Sequence, residues 1–263
     1  MQCGSKRTAW SSASDAKEVQ MSSSNEVRLL HLSDVNAGYG VADTIRGISV
    51  TVKSGEVLGL TGRNGVGKTT LAKTIVGLIR NGSGTIWLDG EPIQTAAPSA
   101  RAALGVAYVP QGRGIFDMSV RDNLRLGRRI GKHCVAQPRK LSIDEVFAMF
   151  PVLRRNAHRD ARSLSGGEQQ MLAIGRVLIG KPRLLILDEP SEGIQPSIIL
   201  EIGQTIVRLA RELNLGVLLI EQNVGLLTAS SDRICIMEKG SIVTEITDPD
   251  ENGTAEVVKY LAL

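Results

Sequence analysis

Aromatic residues are scarce in this chain: phenylalanine, tyrosine and tryptophan together make up 3% of its 263 residues. Its core must therefore be aliphatic. Long hydrophobic runs are missing as well. No stretch reaches the roughly 18 to 20 apolar residues needed to cross a bilayer, and the first residues form no apolar segment of the secretory kind. Cysteine occurs only at Cys3, Cys134 and Cys235, an odd number at distant positions, which fits neither a disulfide framework nor a zinc site. A reducing cytoplasm is the expected setting. Charge of one sign is also in short supply, with a formal net charge of only +4. Basic residues gather locally, at Arg121, Arg125, Arg128, Arg129 and Lys132, and again at Arg154, Arg155, Arg159 and Arg162. A solvated or membrane-proximal face is expected there, rather than a nucleic-acid surface. There are no internal repeats.

Hydrophobic content of 42% and charged content of 22% are those of a globular protein. Residues 1–26 are rich in serine and charge without periodicity, which predicts a disordered tail, with Met21 as an alternative start. Ragged alternation from Val27 predicts a strand ending at an Asn36-Ala37-Gly38 turn, then strands at Ile45–Val52 and Thr85–Leu88. These should pair antiparallel. From Gln111 to Ser163 the pattern is basic and helical, with breaks between Gly131 and Pro138. A helix (Gln169–Ile179), a strand (Leu184–Leu187), a helix (Ile198–Leu213) and a strand (Val217–Ile220) follow, an alternation that implies a parallel sheet covered on both faces. Two last strands should meet in a hairpin at Lys239-Gly240.

The most informative stretch is Gly62-Arg63-Asn64-Gly65-Val66-Gly67-Lys68-Thr69-Thr70. It lies between an apolar strand, Glu56–Leu60, and a segment with apolar residues at helical spacing (Leu71, Ile75, Leu78, Ile79). Strand, glycine loop and helix in that order form a phosphate cradle: backbone N–H groups converge and the helix N-terminus adds positive charge. Lys68 should reach the β- and γ-phosphates, and the Thr69 hydroxyl should ligate Mg²⁺. Leu184–Glu189 is an apolar strand ending in two acids. Asp188 is placed to hold Mg²⁺ through water, and Glu189 to act as general base. Leu164-Ser165-Gly166-Gly167-Glu168 opens another helix and makes a second anion-binding terminus. One nucleotide does not need two cradles. Two subunits facing each other head-to-tail would use both, each Ser165 capping the other's γ-phosphate.

In this ordered set, residues from Val27 to about Leu263 resemble the ATP-binding subunit of an ABC transporter. The resemblance implies an α/β fold of the ABC nucleotide-binding type: a phosphate-loop core, an antiparallel β-subdomain, and a helical subdomain at about 112–163 that docks the membrane partner. It implies that Tyr39 stacks on adenine, that Arg63, Asn64, Val66 and Thr70 line the nucleotide with the glycines, and that Gln111 is a Mg²⁺ and water contact. ATP and Mg²⁺ are the implied cofactors. Val109–Phe116, Glu168–Arg176 and Glu221-Gln222-Asn223 look like the importers of branched-chain amino acids, urea and amides; Ser191–Ile199 looks closest to the urea type. The implied partners are two permease subunits, a second related ATPase and, indirectly, a periplasmic or extracellular solute-binding protein, at the cytoplasmic face of the inner membrane. No nucleic acid is implied. A soluble ABC ATPase acting on DNA or the ribosome would usually bring long coiled coils or two cassettes, and a non-catalytic subunit would not need Lys68 and Glu189.

Two positions depart from the family pattern. Gln222 stands where most members have a histidine, and Gln195 where many have an aspartate. None of His31, His133 and His158 follows the Asp188 strand. A glutamine amide can donate to a γ-phosphate, but it cannot carry a proton. Ile115, Phe116, Met118 and Val120 form an apolar run just after Gln111, read either as a permease contact or as subdomain core.

Overall fold

The computed structural model describes residues 28–40, 42–130, 141–249 and 251–262. The expected tail and the expected break at Gly131–Pro138 lie outside the described residues. Two sheets organise the fold. The first is antiparallel, in the order β2-β1-β4-β5, with β1 Arg28–Tyr39, β2 Ala42–Lys53, β4 Asn81–Leu88 and β5 Glu91–Pro92. The second has the order β10-β9-β3-β8-β7-β6, with β3 Val57–Thr61, β6 Val106–Val109, β7 Leu184–Asp188, β8 Gly216–Ile220, β9 Arg233–Glu238 and β10 Ser241–Ile246. Every residue of β3, β7 and β8 is buried. Continuous apolar runs of this kind belong in a parallel sheet covered on both faces, whereas half-exposed β2 alternates.

Helices cover the second sheet. They are α1 Lys68–Ile75, α2 Pro98–Ala103, α3 Val120–Ile130, α4 Ile143–Met149, α5 Pro151–Arg155, α6 Gly166–Leu178, α7 Pro196–Leu213, α8 Val224–Ser230 and α9 Glu251–Ala262. One apolar cluster joins α3 to α7 with the odd residues of β7 and β8, such as Leu185, Leu187, Val217 and Leu219. A second fills the opposite face with Leu184, Ile186 and Leu218, α1, and the inner side of the antiparallel sheet. Each fully buried leucine or isoleucine contributes about 1.5–3 kcal/mol. Among the described residues Phe147 is the one aromatic in the set of largest fully buried side chains, in line with the low aromatic content.

Asn36-Ala37-Gly38 is not a turn. β1 runs through it with register shifts, and the chain reverses between Tyr39 and Ala42. The Asn36 amide serves the strand instead, donating to Asp34 O (2.9 Å) and Ser83 Oγ (2.9 Å) and accepting from Gly47 N (2.9 Å). These residues satisfy a bulge rather than a reversal. The Lys239-Gly240 hairpin is present, with φ of 49° and 88°, as a two-residue primed turn requires. Its tip docks on the first sheet: Arg46 N donates to Gly240 O (2.8 Å) and Ser241 Oγ to Arg46 O (2.9 Å). Of the apolar run after Gln111, Val120 is fully buried and Ile115 packs on the core, while Phe116 stays 45% exposed.

Candidate nucleotide site

Strand register brings the expected residues to one edge. Leu60 of β3 pairs with Ile220 of β8, Asp188 of β7 with Ile220, and Val109 of β6 with Leu187. The segments beginning at Gly62, Glu221, Glu189 and Pro110 therefore leave the sheet side by side. The C-terminal edge of a parallel sheet is where such folds gather ligands.

Gly62 and Gly67 have φ of 147° and 110°. A Cβ on Gly62 would lie 2.3 Å from Met237 O, and one on Gly67 2.8 Å from Ile45 Cγ2, so neither position admits a side chain. No side chain caps the start of α1 at Gly67, and its first N–H groups face the loop as an anion cradle. Lys68 is buried and folds over that loop, with Nζ donating to Gly62 O (2.8 Å) and Arg63 O (3.1 Å) and lying 3.9 Å from Glu189 Oε1. Burial lowers its pKa, opposed by the charges of Glu189, Asp188 and Glu221. Arg63, Asn64 and Gly65 are exposed at the loop tip, Thr70 is buried below it, and Val66 packs on the core.

Asp188 is buried at the end of β7. Its Oδ1 accepts from Thr69 Oγ1 (3.1 Å) and its Oδ2 from Tyr108 OH (2.9 Å). Burial pushes the carboxyl up, and the Tyr108 and Thr69 hydrogen bonds pull it down. Tyr108 was not anticipated from the sequence. Burial, reinforced by the Asp188 charge, keeps its phenol protonated well above the ordinary tyrosine range, so it stays a donor. A hydroxyl, a carboxylate and the neighbouring Gln111 amide are hard oxygen donors. Among the described residues no group of three or more His, Cys, Asp or Glu could hold a metal. This sparse set suits Mg²⁺, which is usually held by one or two carboxylates together with phosphate and water.

Glu189 sits at φ 49°, with its carboxylate between two glutamines. Gln222 Nε2 donates to Oε1 (2.7 Å) and Gln111 Nε2 to Oε2 (3.3 Å). Gln222 Nε2 also donates to Asn64 Oδ1 (2.6 Å), so both of its amide protons are engaged and the general-base candidate is tethered to the phosphate loop. Beneath them lies Glu221, buried, which the sequence marks only as part of Glu221-Gln222-Asn223, with no role at the site. It accepts from Ser191 N (3.1 Å), Gln222 N (2.7 Å) and Asn223 N (3.0 Å), joining the segments after β7 and β8.

Ser165 is the N-cap of α6 in a reciprocal capping box. Its Oγ accepts from Glu168 N (3.4 Å) and donates to Glu168 Oε2 (2.8 Å), which also accepts from Ser165 N (2.8 Å). Leu164 is buried beneath, and Gly167 lies against Ile198, where a Cβ would be 2.5 Å from Cγ2. Among the described residues no hydrogen bond joins residues 164–168 to the phosphate loop, Asp188 or Glu189. Tyr39 stands at the end of β1, 60% exposed. Gln195 precedes α7 as its N-cap, without a side-chain capping bond.

The family model for ABC transporters matches residues 45–192, more than half of the chain. This chain belongs to the ABC transporter family. It is an ATP-binding domain, an ATPase coupled to transport, of the kind that works in complexes with permease components. It is 39% identical over 220 residues to the high-affinity branched-chain amino acid transport ATP-binding protein BraG of Pseudomonas aeruginosa, covering 83% of this chain and 93% of that protein. It is 36% identical over 222 residues to the lipopolysaccharide export system ATP-binding protein LptB of Escherichia coli, covering 83% and 90%. A crystal structure of a nucleotide-free ATP-binding cassette from an ABC transporter superposes with TM-score 0.75 at 22% identity, over 89% of this chain and 97% of that one. Among the described residues of this ABC ATPase, no helix is long and apolar enough to cross a membrane.

Proposed function

We propose that this chain hydrolyses ATP in a head-to-tail pair with a second, related ATPase and so energises an importer of branched-chain amino acids at the cytoplasmic face of the inner membrane. The observation that carries the solute is the similarity to BraG, 39% over 93% of that protein's length, together with Glu221-Gln222-Asn223-Val224, which leans to the amino-acid type. A urea or amide importer is the second reading, favoured by Ser191–Ile199.

In this reading adenine stacks on the exposed Tyr39, while the loop from Gly62 to Thr70 and Lys68 take the phosphates. Thr69, Asp188 and Gln111 would hold Mg²⁺, which when bound neutralises charge on the β- and γ-phosphates. Glu189 accepts the proton of the attacking water. Its carboxylate is already oriented by Gln111 and Gln222, and Gln222, as an amide, orients without taking a proton. Ser165, Gly166 and Gly167 close the partner's site. The helices between Gly112 and Ser163, with Phe116 on their surface, form the subdomain that meets two permease subunits; a solute-binding protein delivers the solute from the far side. If the partner ATPase keeps a histidine at the position of Gln222, the two sites differ in their γ-phosphate contact.

The test is reconstitution in proteoliposomes with the neighbouring permeases and the solute-binding protein. Leucine with its binding protein should stimulate hydrolysis. Stimulation by urea instead, or by lipopolysaccharide in an export assembly, would replace this solute.

A further inference from the structure

We infer that Arg113 is a positioning residue that ties the two nucleotide sites of the dimer together, acting on one through the loop at Gln111 and on the other through Gly166. The inference rests on the head-to-tail reading above.

Arg113 follows Gln111 by two residues, and the Gln111 amide touches Glu189 Oε2 at 3.3 Å. Its φ is 65°, in the left-handed region that a non-glycine residue keeps only when its surroundings hold it. The holding group is Arg176 on the buried side of α6. Arg176 Nη2 donates to Arg113 O (3.3 Å) and Nη1 to Gly114 O (2.8 Å), with its guanidinium 4.9 Å from the centre of the Phe116 ring. The backbone of the loop is thus fixed to the helix that begins at Gly166.

The side chain of Arg113 runs to the segment after Glu189. Its Nη2 donates to the carbonyl of Glu192. The same nitrogen lies 3.4 Å from where a Cβ on Gly166 would stand and 3.6 Å from a Cβ on Gly193, and the Gly166 Cβ would itself be 2.9 Å from Gly193 O. The guanidinium therefore sits over the side-chain space that Gly166 and Gly193 leave open, and these two backbones lie close together. Glu189 and Gln111 belong to the chain's own phosphate-loop site, whereas Gly166 faces the partner's. Arg113 touches the structure of both. In this proposal a shift of Gln111 when a γ-phosphate arrives is passed through Arg113 to Glu192 and the Gly193–Gly166 contact at the start of α6. A planar guanidinium with its fork of donors can span these groups; a point charge cannot.

The experiment uses the reconstituted transporter with both ATPase subunits present. Asparagine tolerates the left-handed backbone, so Arg113→Asn removes the guanidinium with little disturbance of φ, and Arg113→Gly serves if that variant fails to fold. In the unaltered complex the Hill coefficient for ATP should approach the number of sites, about 2, and fall to about 1 in the variant. Affinity of the isolated variant chain for a fluorescent ATP analogue should stay within about twofold, because no ligand contact is lost. A retained Hill coefficient, or affinity that falls in step with turnover, would overturn the inference. So would an unaltered complex with a Hill coefficient of about 1, which leaves nothing to relay. A Glu189→Gln complex that fails to trap ATP between its two ATPase subunits would remove the dimer reading itself. If that complex traps ATP while Arg113→Asn keeps its cooperativity, only the role of Arg113 falls.

Discussion

In the proposed dimer the edge formed by β3, β8, β7 and β6 and the N-terminus of α6 would both receive phosphate, and they are finished to different degrees. At the sheet edge Lys68 and Asp188 are buried and the polar groups are already matched: Lys68 to loop carbonyls, Asp188 to Thr69 and Tyr108, Glu189 to Gln222 and Gln111. At α6 the cap is satisfied by its own Glu168, and the glycines of that turn are pressed against Gly193 and Ile198. A group matched within its own chain is organised before ligand arrives. In the proposed dimer a cap closed on itself would exchange Glu168 for the phosphate of another chain. The first region should therefore govern binding and chemistry, and the second the coming together of two chains.

Changes that break this contrast should rank accordingly. Lys68→Ala deletes the charge over the loop and should abolish measurable hydrolysis while circular dichroism stays native; near-normal turnover would remove Lys68 from the phosphates. Glu189→Gln should lower turnover by about 10²- to 10⁴-fold, the usual contribution of a positioned base, while ATP binding persists and ATP-bound dimers accumulate in size-exclusion chromatography. An unchanged monomer with nucleotide bound would count against the head-to-tail arrangement. Ser165→Ala acts on the other region. It should cost about 10²-fold in turnover of the dimer without weakening ATP binding to the single chain, and about 1 kcal/mol of stability through the lost cap, read by thermal melting. A parallel loss of single-chain affinity would place Ser165 in its own chain's site. Tyr108→Phe sharpens the contrast from within the edge. Asp188 keeps Thr69, so turnover should fall by about tenfold or less, while the lost hydrogen bond to a charged group costs about 1.5–3 kcal/mol in urea unfolding.

Much of the sheet edge was legible because its signals are local. Leu184–Glu189 is a strand by composition and an acid pair by position, and the loop from Gly62 to Thr70 carries its own flanking strand and helix. Ser165 and Glu168 spell a capping box three residues apart. What escaped depends on register between distant strands. Tyr108 reaches Asp188 only because β6 pairs with β7, 80 positions away in the chain, and nothing around Val106–Val109 marks its hydroxyl. Glu221 reads as one acid after an apolar run; its bonds from Gln222 N and Asn223 N are local, and its third donor, Ser191 N, arrives only once β8 lies beside β7. Asn36 and Gly38 misled for the opposite reason: turn-forming residues also form bulges, and the choice is made by β2 and β4 on either side. The short helices α2 and α8 lack the length that would make their periodicity stand out.

The hairpin at Lys239-Gly240 carries a consequence for engineering. A two-residue loop tip at the edge of a sheet is ordinarily the safest point for an epitope tag or a fluorescent insertion. Here the tip is a rivet. A Cβ on Gly240 would lie 2.4 Å from Thr44 O, and Arg46 and Ser241 close bonds on either side of it. It fastens the antiparallel sheet that bears Tyr39 to the sheet whose strand β3 leads into the Lys68 loop, so an insertion there would let the proposed base-holding and phosphate-holding halves drift apart. The expected symptom is weakened affinity for nucleotide in a protein whose every ligand-facing residue is intact.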